Sequence, residues 1–174
     1  YPLRRQRQMC IRDSVTSGRV ILGGEDLTQL SQRELARLRL TQMGFVFQHI
    51  HLLTNLNVLD NVIFPAFLAG LAPRDELVER AHELMQHLGV ESLASRDITE
   101  ASGGQLQRVG ICRALINEPR IIFADEPTGA LDSENSRQVM DIFRDINSAG
   151  TTIVMVTHDE DIASSSPRRV HLVD

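Results

Sequence analysis

The sequence contains no lysine, because all 18 of its Lys and Arg positions are arginines. A glycine-rich phosphate loop that ends in Gly-Lys-Ser/Thr is therefore excluded within these 174 residues. Long apolar runs are also missing. The longest, Val62–Leu71, contains Pro65 and Gly70 and falls short of the roughly 20 residues that cross a bilayer. We therefore expect any role at a membrane to come through a partner.

An excess of basic charge is absent as well. The formal net charge is -5 and the pI is near 5.7, whereas nucleic-acid binders usually carry a basic surface. We therefore expect no nucleic-acid partner. The two cysteines, Cys10 and Cys112, lack the spacing of metal ligands, which fits a reducing compartment. Aromatic residues make up 4% of the chain and hydrophobic residues 42%, as in an α/β protein rich in Leu, Ile and Val.

The first 14 residues differ from the rest. Tyr1–Ser14 carries four arginines against one acid, Asp13, and has neither helical nor strand periodicity. It also lacks the apolar face of a targeting peptide. We expect residues 1–14 to be a non-native or disordered segment and assign residues 15–174 to one partial domain.

Apolar strands alternate with helices from residue 15 onward. The helix boundaries carry ordinary signals, such as the Ser31 and Glu34 capping box and Gly89 just past a helix end. The alternation predicts a sheet with helices on both faces. The predicted strands are Gly18–Leu22, Gly44–Phe47, Arg120–Ala124, Thr151–Val156 and Arg169–Val173, and the predicted helices are Ser31–Leu40, Asn57–Leu71, Pro73–Leu88, Ser102–Ile116, Ser133–Ser148 and Asp159–Ser164.

One predicted helix begins with a small polar turn, Ser102–Gln105. Gly103 and Gly104 allow backbone N–H groups to approach an anion closely, and the helix dipole adds partial positive charge. A capped helix start with two flexible glycines explains the same residues equally well. Taken alone, the turn does not distinguish the two.

Two adjacent acids, Asp125 and Glu126, follow four apolar residues at the end of a predicted strand. Strand ends of open α/β sheets are where ligands bind, and phosphoryl transfer needs a metal ion and a positioned nucleophile. An isolated Asp-Glu pair before Pro127 is more often an ordinary acidic turn. The neighbouring motifs favour the functional interpretation.

Three single residues occupy comparable places. Gln48 and His158 each follow a predicted apolar strand, and Asp132 precedes a helix. The alternatives are a polar loop residue for Gln48, a structural histidine for His158 and a helix N-cap for Asp132. The cap and the functional role of Asp132 are compatible.

The order and spacing of these motifs resembles the nucleotide-binding subunit of an ABC transporter. Ala101–Arg108 resembles the ABC signature, although Ala101 stands where Leu is usual. The resemblance implies an α/β, P-loop NTPase-like ABC ATPase with a mostly parallel core sheet. It also implies a partial antiparallel β region and a small helical subdomain at about residues 49–105. Within the family, Gly44–Gln48 and Asp125–Asp132 look most like the lipoprotein- and macrolide-export branch.

The resemblance also implies roles for the site residues. Glu126 polarises the attacking water, Asp125 and Gln48 hold Mg²⁺, and His158 contacts the γ-phosphate of ATP. Gln48, Glu126 and His158 form the catalytic set. The signature residues Ser102, Gly103, Gly104 and Gln105 bind nucleotide held by a second subunit, and Asp132 lies in the loop that crosses the dimer interface.

The resemblance further implies an ATPase subunit that couples ATP binding and hydrolysis to export or membrane extraction of a substrate. Its partners would be a transmembrane permease and a second nucleotide-binding subunit in a homodimer, at the cytoplasmic face of the inner membrane. Because the phosphate loop is missing from these residues, we expect the chain to be N-terminally truncated and inactive alone. The missing part would include a central strand and helix, so we expect exposed sheet edges and apolar surface to make the chain poorly soluble. One alternative is a non-catalytic partner that offers its signature to an intact ATPase. Another is a soluble ABC factor acting on ribosomes or DNA, which the acidic charge disfavours.

Overall fold

The computed structural model describes residues 17–171, so the predictions made for residues 1–14 lie outside the described part of the chain. By its internal contacts the chain divides into two units, residues 1–39 and residues 40–174. All the predicted site residues belong to the second unit.

The first unit contains a short antiparallel hairpin of β1, Ile21–Leu22, and β2, Glu25–Asp26. Gly23 and Gly24 form its turn with φ of 58° and 89°, which is the left-handed backbone that a two-residue hairpin turn requires. A 3₁₀ turn at Leu27–Gln29 follows. Helix α1, Gln32–Gln42, begins in this unit and ends in the second. The predicted capping box at its start is confirmed, since Ser31 and Glu34 exchange hydrogen bonds of 2.8 and 3.4 Å.

The described residues of the second unit form five further helices: α2 at Val58–Ala69, α3 at Arg74–His87, α4 at Gly103–Leu115, α5 at Ser133–Ser148 and α6 at Glu160–Ser164. Short 3₁₀ turns lie at Glu91–Leu93 and Ile98–Glu100. Asn57 caps the start of α2, and Gly70 ends it in the left-handed conformation. None of the helices in residues 17–171 is long and apolar enough to cross a membrane.

A three-stranded parallel sheet forms the centre of the second unit. It consists of β3 at Met43–Phe47, β4 at Ile121–Asp125 and β5 at Thr152–Val156, in the order β3-β4-β5. The mostly parallel sheet with a small antiparallel region is therefore confirmed. The register aligns Phe47 with Asp125 and Asp125 with Val156, so the three strands end together.

The sheet buries one face and exposes the other. Val46, Ile122 and Ala124 are at most 3% exposed and join the main hydrophobic core with residues of α2 to α5. On the opposite face Phe45 and Val154 are 37% and 43% exposed. The expectation that both faces are covered is therefore wrong for the described residues, because the helices among them bury only the alternate side chains of each strand.

The predicted last strand, Arg169–Val173, is also wrong in its described part. Residues 169–171 adopt no strand conformation. The side chain of Val170 is 72% exposed, and Arg169 pairs with Glu160 of α6 at 2.6 Å. Within the described chain, residues 169–171 have no neighbouring strand to pair with and bury no apolar side chain. The last residues of the predicted strand lie outside the described part.

Candidate functional site

The parallel strands bring three of the predicted residues to one edge of the sheet. Gln48 follows β3, Glu126 follows β4, and His158 comes two residues after β5. Because the register aligns the last residues of the strands, these side chains converge where the carboxyl ends of parallel strands meet. This edge is where ligands bind in open α/β sheets.

Glu126 is held in an unusual backbone conformation. Its φ is 46°, in the left-handed region that costs a non-glycine residue about 1–2 kcal/mol. Its N–H donates to the carbonyl of Val156 at 2.9 Å, which ties the residue to the end of β5. The side chain is only 20% exposed. Strain of this kind persists where the surroundings over-determine the conformation, and it is frequent at functional sites.

Both carboxylate oxygens of Glu126 have partners from the segment after β5. Oε1 accepts from the backbone N–H of His158 at 2.8 Å and lies 2.6 Å from its ring Nδ1. Oε2 accepts from the hydroxyl of Thr157 at 3.4 Å. The carboxylate is thus held at a fixed orientation by three groups.

The contact with Glu126 fixes the tautomer of His158. An ionised carboxylate only accepts hydrogen bonds, so Nδ1 must carry the proton. Nε2 is then an acceptor in the neutral ring and a donor in the imidazolium form. Because the side chain is 83% exposed, Nε2 is accessible to a ligand.

Gln48 packs against the loop that follows Glu126. A Cβ placed on Gly129 would lie 2.8 Å from Nε2 of Gln48 and 3.3 Å from its Cδ. The absence of a side chain at Gly129 therefore makes room for the amide of Gln48. This contact brings the ends of β3 and β4 together through side chains as well as through the ladder.

Asp125 is the last residue of β4 and is exposed. Within residues 17–171 no three His, Cys, Asp or Glu side chains are grouped to hold a metal ion. Mg²⁺ commonly takes one or two carboxylates and completes its shell with water and substrate phosphates. An exposed carboxylate at the sheet edge is chemically suited to that partial role.

The signature turn, Ser102–Gln105, begins α4 with a complete capping box. Ser102 Oγ accepts from the N–H of Gln105 at 3.3 Å, and Gln105 Oε1 accepts from the N–H of Ser102 at 2.9 Å. A Cβ on Gly103 would meet no atom within 4 Å, whereas one on Gly104 would collide with Asn135. Of these two glycines, Gly103 alone leaves open space at the N-terminus of α4, where backbone N–H groups and the helix dipole stabilise an anion.

Asp132 is the N-cap of α5. Its Oδ1 accepts from the N–H of Asn135 at 2.9 Å, and its Oδ2 accepts from the Asn135 side chain at 2.8 Å. These hydrogen bonds, with the backbone one dominant, hold the pKa of the Asp132 carboxyl below its usual value. The prediction that Asp132 caps a helix is confirmed. The signature turn and Asp132 also adjoin each other through Asn135.

A cleft of about 650 Å³ lies beside Glu126 and His158, between the loop after β4, α5 and α6. Arg137 and Arg144 of α5 line it together with Asp161 of α6. It adjoins the site at its exposed side.

Sequence reasoning missed Asn135 and the contribution of Thr157. Asn135 occupies the third position after a cap, where Asp132 would be expected to find a backbone donor. This capping position can be read from the sequence, whereas the contact of Asn135 with Gly104 cannot. The hydroxyl of Thr157 could have been found only from the pairing of β4 with β5.

The chain is similar to known proteins of one family. The chain matches the family described as ABC transporter over residues 7–129, a match that begins inside the segment set aside above. It is 46% identical to the lipoprotein-releasing system ATP-binding protein LolD of Aquifex aeolicus, over 93% of this chain and 72% of that protein. It is 44% identical to the macrolide export ATP-binding/permease protein MacB of Burkholderia pseudomallei, over 93% of this chain and 25% of that protein.

A solved structure has the same fold. A dimer of the ATP-binding cassette MJ0796, bound to ADP and Pi in a post-hydrolysis state, superposes with a TM-score of 0.77. It shares 36% sequence identity, and the match covers 91% of this chain and 72% of that chain. The chain therefore belongs to the ABC transporter family, whose ATP-binding cassettes are ATPases coupled to transport.

Proposed function

We propose that this chain is the part of an ABC transporter that hydrolyses ATP at Glu126 to drive export, or extraction from the membrane, of a substrate through a transmembrane permease. The observation that supports this most directly is the fixed carboxylate of Glu126. Its partners His158 and Thr157 both belong to the segment after β5. A carboxylate held this way at a sheet edge is suited to orient and polarise an attacking water.

The residues around Glu126 would divide the work of phosphoryl transfer. Asp125 and Gln48 offer oxygen atoms for Mg²⁺, which when bound would neutralise charge on the phosphates. His158 presents Nε2 outward while Nδ1 donates to Glu126. A phosphate oxygen can only accept, so contact through Nε2 requires the imidazolium form. The ring would then link the γ-phosphate to the base.

A second cassette would complete the site. The open backbone at Gly103 and the capped start of α4 are suited to receive a phosphate from outside the chain. We infer that Ser102–Gln105 contacts ATP held by the second subunit of a homodimer and that Asp132 lies in the loop between the two. The dimeric state of the similar MJ0796 cassette supports this arrangement.

An apolar stripe on α2 and the residues after it supports a permease as the membrane partner. Phe64, Phe67, Leu68 and Leu71 repeat at helical spacing and are 36%, 61%, 58% and 50% exposed. Exposed apolar stripes of this kind usually mark interaction sites. We infer that the helical part, about residues 49–105, docks on the permease, so that the protein lies peripherally at the cytoplasmic face of the inner membrane.

The test compares two glutamates in the intact natural protein that carries this chain, with whatever sequence adjoins it. Glu126→Gln should lower Mg²⁺-dependent ATP turnover by about 10²–10⁴-fold, the range for a positioned base, while binding of a fluorescent ATP analogue persists. Glu118→Gln is the matched control, because Glu118 is the other described non-glycine residue with positive φ and precedes β4, whereas Glu126 follows it. Its turnover should stay at the wild-type level.

Two results would count against the proposal. One is normal turnover in Glu126→Gln, and the other is an intact protein that binds ATP without hydrolysing it. The second result would favour the alternative of a non-catalytic partner, which should then change the turnover of an intact homologous cassette when the two are mixed. No observation on the described residues favours that alternative.

A further inference from the structure

The first turns of α4 and α5 lie against each other with no space between them. A Cβ added to Gly104 would lie 2.1 Å from Oδ1 of Asn135, 2.5 Å from its Cγ and 3.1 Å from its Cβ. Any residue other than glycine at position 104 must therefore displace the amide of Asn135. The neighbouring Gly103 has no such contact, so the two glycines of the turn serve different purposes.

Asn135 also holds both oxygens of Asp132. Its backbone N–H donates to Oδ1 at 2.9 Å, and its side-chain Nδ2 donates to Oδ2 at 2.8 Å. A single residue thus fixes the orientation of the Asp132 carboxylate, while the far side of its amide packs on Gly104. The signature turn and the loop that ends at Asp132, here called the Asp132 loop, are joined through this one side chain.

A second contact one turn further along supports the first. Arg108 of α4 donates from Nη1 to Oε1 of Gln138 at 3.3 Å, and Gln138 donates from Nε2 to Oε1 of Glu134 at 3.1 Å. The contact between α4 and α5 therefore extends over two successive turns. It resists a relative rotation of the two helices about the Asn135 contact.

We propose that Asn135 is a positioning residue for ATP hydrolysis. Its side chain holds the signature turn against the Asp132 loop of the same chain. The two segments then approach the second cassette of a dimer as one unit. This inference rests on the proposed function, because it requires that the signature turn acts on ATP held by the other subunit. In this proposal Asn135 acts through the signature turn and Asp132, not through contact with the nucleotide.

The lock predicts a specific kinetic defect. Asn135→Ala removes both the packing on Gly104 and the side-chain bond to Asp132, while the backbone bond of the cap remains. Turnover at saturating ATP should fall about ten-fold or more, since a misplacement of ~1 Å can cost ~10²-fold. The KM for ATP should change less than kcat, because the loss acts on the closed dimer more than on initial binding.

A double-mutant cycle separates positioning from packing. Gly104→Ala alone should destabilise the fold, because it collides with the Asn135 amide. Combined with Asn135→Ala, it should recover most of its thermal midpoint, since the amide is gone and only the Cβ of residue 135 remains close, at 3.1 Å, but it should not recover turnover. Gly103→Ala, where the space is open, should show a thermal midpoint that is independent of residue 135.

The experiment measures kcat, KM, the Hill coefficient for ATP and the thermal midpoint in the intact protein. Asn135→Asp keeps the shape of the side chain but places a carboxylate opposite Asp132, and it should lose turnover at an unchanged KM even if the Ala variant folds poorly. Asn147→Ala, in the last turn of α5, is the control. It loses a hydrogen bond to the carbonyl of Thr151 but should keep the wild-type kcat, KM and Hill coefficient. Wild-type kcat and Hill coefficient in both Asn135 variants would overturn the inference. An inactive wild type, or an active Glu126→Gln, would instead overturn the proposed function.

Discussion

Gly129→Ala tests whether the position of Gln48 matters for hydrolysis. The added Cβ would lie 2.8 Å from Nε2 of Gln48, so the amide must move by about half an ångström or more to reach a normal contact near ~3.5 Å. Gly129 does not have positive φ, so alanine fits the backbone there.

The energetic cost of this change is small in the folded state. A side chain forced ~30° from its rotamer loses about 0.5–1.5 kcal/mol. Replacing glycine with alanine where the backbone allows it returns about 0.4–1 kcal/mol through the unfolded chain. We therefore expect the free energy of unfolding to change by less than about 1 kcal/mol. Turnover, by contrast, should fall by about ten-fold or more if the Gln48 amide helps to place metal or water.

A double-mutant cycle in the intact protein provides the assay. Urea denaturation gives the free energy of unfolding, and ATP turnover gives the functional cost, in Gly129→Ala, Gln48→Ala and the combination. Once Gln48 is truncated, Gly129→Ala should have no further effect on turnover, because the two changes act through one side chain. An equal loss in both backgrounds would refute the reasoning, as would a destabilisation above about 2 kcal/mol, which would mean that the backbone moves instead.

Two further predictions concern buried groups of α4. Gln107 is 1% exposed, and its Nε2 donates to the carbonyl of Phe47 at 3.3 Å. Gln107→Leu should therefore lower the free energy of unfolding, measured by urea titration, by about 1–2 kcal/mol, because a buried hydrogen bond is lost. Burial raises the pKa of the Cys112 thiol to about 12. In a Cys10→Ser background the Cys112 thiol should therefore resist thiol reagents at pH 8 until urea unfolds the protein. The contribution of Cys112 to the free energy of unfolding should be lost as pH rises above the ordinary thiol range, because the thiol ionises first in the unfolded chain.

Local signals in the sequence predicted the elements that carry the site. The Ser31–Glu34 pair predicts a helix start from the spacing of a hydroxyl and an acid three residues later, and Ser102 predicts one as a capping serine before two glycines. Both positions carry complete capping boxes. Such signals are reliable because the donor and acceptor lie within one turn of chain. The strands before Gln48 and Glu126 were predicted for a similar reason, as short apolar runs.

Contacts between distant segments could not be predicted in the same way. The contact of Gln48 with Gly129 depends on strand order, and the contact of Asn135 with Gly104 depends on helix packing. No local pattern in the sequence encodes either. No local pattern signals the left-handed conformation of Glu126, whose N–H donates across the sheet to the carbonyl of Val156. The prediction of a strand from Arg169 is wrong for a different reason. Its apolar residues fit a strand, but a strand forms only where a partner strand and burial are available.

The exposed face of the sheet leads to a last prediction, which uses one substitution at two places. Val46 of β3 is 3% exposed and Val154 of β5 is 43% exposed, on opposite faces. Valine and threonine have the same shape, so Val→Thr changes polarity alone. A buried hydroxyl without a partner costs about 1–3 kcal/mol, whereas an exposed one stays within about 0.5 kcal/mol.

Val46→Thr should therefore lower the unfolding midpoint of the 174-residue chain, and Val154→Thr should leave it nearly unchanged. Val154→Thr should also reduce binding of a hydrophobic dye and raise the solubility limit, because Val154 adjoins Phe45 and Phe123 in one apolar row. Equal destabilisation by both substitutions would show that Val154 is covered in solution. The expectation of poor solubility would then lose its physical basis, because the apolar row would no longer be free to associate with another molecule.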